Sequence, residues 1–220
     1  MDDNEREIIQ LAHHHCAEEL ALLDRVLAEE PEPPPEPLPP WEDHIAEMPV
    51  NRAPDHPDLV KHKWKFWPER ALSDITGITI HHTCSHSPLA LTRWITRPQS
   101  QGGKGYPSTQ YALWVSAGDG CPIWLHAPLE WGIWHDHTGA HQTTISIGMA
   151  GTLHVNKPPQ EQIDATARLC AYLMNEFDIP VSEIQGHGDR AKAVNVYTVC
   201  PGWYAAGWVV QFQEALRAVL

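Results

Sequence analysis

Residues 78–84 read ITIHHTC, an apolar β-branched run that ends in two histidines. Residues 184–202 read IQGHGDRAKAVNVYTVCPG, where a second apolar run leads to His187 and Cys200 is followed at once by Pro201 and Gly202. Two imidazoles and one thiolate form a borderline-soft donor set that suits Zn²⁺. Three protein ligands, unlike four, leave a tetrahedral position open for water, whose pKa falls to about 7 at such a site. That chemistry is hydrolysis. Neighbouring side chains on a strand point to opposite faces, so His81 and His82 cannot both reach one ion, and geometry alone admits either. The same rule sets the Thr198 hydroxyl on the side of Cys200 in an extended segment.

The elements that must position these groups follow from alternation and turn signals. Strands are expected near 76–82, 110–116, 121–126, 143–150 and 183–186, and helices near 88–97, 160–177 and 204–219. The long helix is the clearest: Ile163, Ala167, Cys170, Met174 and Phe177 share one face, and Pro158–Pro159 precede its start. The expected fold class is α/β, a central mixed sheet flanked by helices. Ligands at strand ends and on a loop suit such a scaffold.

Five segments in this order resemble the zinc-dependent N-acetylmuramoyl-L-alanine amidases of the amidase-2 type, which include phage endolysins and peptidoglycan recognition proteins. LSDITGITIHHT resembles the first-ligand strand, and by that alignment His81 is the ligand of the pair. YPSTQYALWVSAGDG is similar to a segment in which a tyrosine, here Tyr111, opens a strand ending at an Asp-Gly turn. IWHDHTGAHQTTISIGMAG resembles the groove histidine, a polar loop and a core strand, and PPQEQIDATARLCAYLMNEFDIP the long helix before the second ligand. GHGDR and TVCPGW supply His187 and Cys200. The resemblance runs from about Arg70 to the C-terminus.

It implies one zinc per chain on His81, His187 and Cys200, and hydrolysis of the amide joining N-acetylmuramic acid to L-alanine in peptidoglycan. It further implies that Tyr111 and Thr198 hydrogen-bond the reacting groups. His135 becomes the groove histidine, with His137 as the alternative, and neighbouring Trp134 a substrate-binding wall. Departures are informative too. Twelve residues separate His187 from Cys200, which predicts an enlarged loop. TTISIGMAG carries no acidic residue, which removes the base used in one branch. Retention of the cysteine ligand favours catalysis over mere binding of the wall. The leading function is a phage-type endolysin. Alternatives are an amidase of soluble muropeptides in cell-wall recycling and a non-catalytic peptidoglycan-binding module.

Charge is concentrated at one end. The net charge is −13, and residues 1–50 hold fourteen Asp and Glu against two Arg. This argues against nucleic acid as a partner, since phosphate binding needs the opposite sign. Residues 31–40 contain seven prolines and predict a polyproline II linker spanning about 30 Å. Ahead of it, Ile9, Ala12, Cys16, Leu20, Leu23 and Leu27 recur at helical spacing. Such a helix is marginal alone, so its stripe requires a cover: a second copy through residues 5–29, its own catalytic domain, or a separate partner. The expected organisation is an acidic amphipathic helix (1–30), a Pro-rich linker (31–40), an irregular Trp-containing strap (41–69) and a catalytic domain (70–220).

No run approaches a membrane span, and MDDNEREIIQ lacks the positive region and apolar core of a secretory signal. The expectation is cytoplasmic synthesis followed by action on the wall, after release through a holin-type pore for a lysis enzyme. Five cysteines at irregular spacing fit a reducing compartment. Cys16, Cys84, Cys121 and Cys170 are read as small buried apolar residues, and a Cys84–Cys121 bridge has no support. Among ten tryptophans, Trp94, Trp131, Trp134 and Trp203 are groove candidates.

Overall fold

In the strand Gly77–His82 (β2), even-numbered Ile78 and Ile80 and odd-numbered Thr79 and His81 occupy opposite faces, as the period of two requires. The strand Thr144–Met149 (β5) repeats the pattern with Ile145, Ile147 and Met149 against Thr144, Ser146 and Gly148. The two strands pair in parallel with Ile78 opposite Ile145 and His81 opposite Gly148. One face of the sheet is therefore aliphatic and the other is hydroxyl-rich, and the latter carries His81. Thr79 donates to Thr144 Oγ1 across that polar face at 3.2 Å.

A computed structural model describes residues 45–47, 68–106, 110–136 and 138–220. The chain divides into two units, Met1–Pro37 and Leu38–Leu220, and every described residue lies in the second. The expected helix within 1–30, the Pro-rich linker, Cys16 and His137 lie outside the described residues. So does most of the 41–69 segment.

Six strands form one mixed sheet: Ile45–Glu47 (β1), β2, Leu113–Val115 (β3), Ile123–Leu125 (β4), β5 and Ile184–Gly186 (β6). Their order is β1-β4-β3-β5-β2-β6. Only β3 and β4 are antiparallel, joined by a tight turn through Asp119-Gly120, while the other neighbours run parallel. Helices flank the sheet: Pro88–Thr96 (α1), Gln160–Phe177 (α2), His187–Lys192 (α3) and Val209–Val219 (α4). Ile163, Ala167, Cys170 and Leu173 of α2 are fully buried, in one cluster with Phe212 and Leu216 of α4 and the aliphatic face of the sheet. Gln162 is buried with them, and its amide donates to the Val115 and Ala150 carbonyls at 3.1 Å each. A polar side chain thereby satisfies the ends of β3 and β5 under the helix. Arg70 does similar work at the opposite end, donating to Leu129, His141 and Thr144 carbonyls.

Three expectations need correction. The 41–69 strap is not wholly irregular, because Ile45–Glu47 adds a parallel edge strand against β4. Residues 187–192 form a helix instead of opening a long loop, with Asp189 accepting from the Gly186 N–H at 3.2 Å to start it. The last helix begins at Val209, not 204, because residues 203–207 are taken up in turns. Among the described residues, no helix is long and apolar enough to cross a membrane.

Candidate metal centre and cavity

His81 ends the polar face of β2, His187 opens α3 after β6, and Cys200 follows on the return segment. One donor atom from each lies within 4.8 Å of the other two. His81 Nδ1 is 3.7 Å from Cys200 Sγ, and the His81 and His187 rings are 4.7 Å apart by centroid. His81 is 2 % exposed, and burial holds it well below the usual imidazole range, with the neighbouring histidines adding to the effect. It is therefore neutral and keeps a lone pair for an ion. Burial pushes the Cys200 thiol up to about 12, against a backbone bond from His82 N at 3.4 Å. Such a buried thiol ionises at neutral pH only beside a strong positive charge, which a divalent cation supplies. The donor set fits zinc.

With Nδ1 turned toward Cys200, His81 Nε2–H is left to donate to His135 Nδ1, 3.1 Å away. His135 Nε2 in turn lies 3.1 Å from Thr144 Oγ1, which donates to the Ala140 carbonyl at 2.9 Å. His135 is only 7 % exposed; burial pushes it down to about 3, against the opposing pull of Asp136. Asp136 Oδ2 stands 3.7 Å from His135 Nδ1, while Oδ1 accepts from the Thr138 N–H and hydroxyl. His135 thus borders the cavity from a buried position.

Tyr111 packs over His81, ring centroids 5.4 Å apart, and its phenol donates to the His82 carbonyl at 3.3 Å. Gly148 makes that placement feasible: a Cβ there would meet the Tyr111 ring at 2.8 Å. Burial first, then the Cys200 and Cys84 sulfurs, raise the phenol's pKa, so it stays a neutral donor. Thr198 Oγ1 accepts from the Cys200 N–H at 3.2 Å, which leaves its own proton to donate. These groups share a cavity of ≈ 380 Å³ with Trp134, which is 46 % exposed.

Tyr106 and Gln110 also line the cavity and were missed by sequence reasoning, as were Asp136 and Thr144. Asp-x-Thr at 136–138 is a recognisable side-chain turn pattern, but no local signal ties Thr144 to His135. Of the tryptophan candidates, Trp203 is buried in the core, Trp131 is half-buried beside Glu69, and Trp94 is exposed under Lys104. Cys121 and Cys170 are buried and free, but Cys84 is exposed, contrary to the buried reading. It sits just past the strand end with φ 52°, where the chain turns outward.

Comparison with known proteins decides the family. The Amidase_2 profile, N-acetylmuramoyl-L-alanine amidase, matches residues 71–203, more than half the chain. The chain belongs to this amidase family. No curated protein matches it. Its fold is similar to that of an E90A mutant of PlyL, with a TM-score of 0.54 at 16 % identity, covering 73 % of this chain and 95 % of that one. The Ph2119 endolysin of Thermus scotoductus MAT2119 bacteriophage Ph2119 gives 0.53 at 18 %, covering 68 % and 89 %. The catalytic domain of XlyA gives 0.50 at 18 %, covering 72 % and 96 %. At such identities the likeness is one of fold, and it agrees with the mixed sheet and flanking helices of this amidase-family chain.

Proposed function

We propose that this amidase-family protein is a zinc-dependent hydrolase of the amide between N-acetylmuramic acid and L-alanine, acting on peptidoglycan in the manner of an endolysin. The observation that carries the reading is the convergence of His81, His187 and Cys200 donor atoms within 4.8 Å at an open cavity. Zinc, when bound by these three, supplies Lewis acidity and acidifies water.

The remaining work falls to the chain's own residues. Tyr111, kept protonated by burial, turns its single proton from the His82 carbonyl to the substrate carbonyl oxygen as negative charge develops there. Thr198 donates a second, its lone pair being occupied by the Cys200 N–H. Neither is a cation, so they orient charge without neutralising it. His135 fixes the tautomer and ring plane of His81 through the 3.1 Å contact. The exposed face of Trp134 offers an apolar platform for a sugar ring at the cavity wall.

Synthesis in the cytoplasm and release to the wall complete this reading, with peptidoglycan as the partner and neither nucleic acid nor a membrane span involved. The test is mass spectrometry of digested peptidoglycan, read together with metal content. Free L-alanine amino termini and intact glycan strands are expected, with about one zinc at His81, His187 and Cys200. Cys200→Ala should lose that zinc and the activity together. New reducing sugar ends, or full zinc and turnover in Cys200→Ala, would overturn the reading. Cleavage of soluble muropeptides without action on intact sacculi would assign a recycling role instead, and wall binding without any cleavage a binding module.

A further inference from the structure

β2 ends in two histidines, and its alternation sends the second to the side opposite His81. There His82 meets Cys84, two residues on, and His154 from the turn that follows β5. Cys84 Sγ is 3.5 Å from His82 Nε2, and His154 Nδ1 is 3.4 Å from His82 Nδ1. One donor atom from each of the three lies within 4.8 Å of the other two. A tetrahedral zinc with ordinary bond lengths spaces its nitrogen and sulfur ligands roughly 3.4–3.6 Å apart. An imidazole gives one ion a single nitrogen, so a turn of the His82 or His154 side chain brings the three donors, which lie within 4.8 Å, to that spacing.

We propose that His82, Cys84 and His154 form a second metal site for a borderline divalent cation such as zinc, separate from the one on His81, His187 and Cys200. It repeats the two-imidazole, one-thiolate donor set of the first. Its backbone is held in place by other means. Cys84 N–H donates to the Gly151 carbonyl at 3.0 Å, and Gly151 N–H returns a bond to Ser85 at 2.8 Å. Gly202, at φ 95°, lies against the Leu153–His154 backbone so closely that a Cβ there would come within 2.4 Å of His154 N. The turn carrying His154 is thereby packed on the segment that carries Cys200. His82 and His154 are half-buried and Cys84 is exposed, so an ion can enter from solvent. His82 and Cys84 also line the cavity, which puts this second cation at its edge.

The test loads the full chain with excess zinc, desalts it into metal-free buffer and counts bound metal. Two equivalents are expected in the wild type and one each in Cys84→Ser and His154→Gln. Cys200→Ala should retain one, since the second cluster does not use that thiol. Titration with Co²⁺ should raise the near-ultraviolet thiolate charge-transfer band in two increments, of which Cys84→Ser abolishes one. One equivalent in the wild type, or two in Cys84→Ser and His154→Gln, overturns the proposal. Complete loss of metal from Cys200→Ala also does. If Cys84→Ser loses its fold by circular dichroism, the His154→Gln count decides. None of these readouts requires amidase activity.

Discussion

His81 Nε2 and His135 Nδ1 lie 3.1 Å apart although the residues are 54 positions apart in sequence. The contact turns His81 Nδ1 toward Cys200 and makes the imidazole pair one unit, closed by Thr144. Partners of this kind typically change metal affinity by about 10–100-fold. His135→Ala is therefore expected to weaken zinc binding by about that factor in competition with a chelator. His135→Asn, whose amide oxygen can accept from Nε2–H, should recover part of it. Equal affinity in wild type and His135→Ala would show that His135 does not position the ligand.

Tyr111 and Thr198 border the metal ligands without belonging to them. Tyr111→Phe should keep zinc and fold while lowering kcat by about 10–10³-fold, as expected when a transition-state hydrogen bond is lost. Thr198→Val should act in the same direction, more mildly. KM should change less than kcat in both. Unchanged kinetics in the two variants would leave catalysis to the metal alone.

Acid should weaken the fold through His126, which is buried beside Trp114 at a ring separation of 5.5 Å. Burial pushes its pKa down from 6.5 to about 4. An unfolded chain takes up the proton below pH 6.5, whereas the folded chain refuses it until about 4. The neutral form's contribution is thus complete above the unfolded value and is lost as pH falls across that window, by about 3 kcal/mol. Melting temperatures measured from pH 7 to pH 4 with a chelator present should fall less steeply in His126→Gln than in the wild type. Parallel curves would exclude His126 as a source of the acid sensitivity.

Residues 1–40 hold most of the net negative charge and precede the family match, which starts at residue 71. A chain starting at Trp41 retains β1 and every described element, and is expected to fold, bind zinc and cleave soluble muropeptides at a near-native rate. Light scattering should report a monomer if the removed segment mediates self-association. A truncated chain unable to fold would make the segment part of the catalytic core, while unchanged mass with faster turnover would make it a cover for the cavity.

Features set by neighbours a few positions apart were legible in the residues alone. A period of two separated His81 from His82, and a period near 3.6 marked the buried face of α2 with Ile163, Ala167 and Cys170. Family motifs in order then singled out His81, His187 and Cys200, and the tertiary structure brings those three together. Local pattern says nothing about pairs that meet only through packing. Resemblance marks His135 as the groove histidine, but only parallel pairing of β2 with β5 brings Thr144 and His135 together under His81. Cys84 could be read as buried because cysteine usually is, but the strand ends before it and the backbone turns the thiol toward His82. Likewise β1 is a three-residue strand with too few side chains to show a period, and only the free edge of β4 makes it one. These contacts join residues 54, 65 and more positions apart, where chain entropy opposes the meeting until the sheet and its helices have already formed.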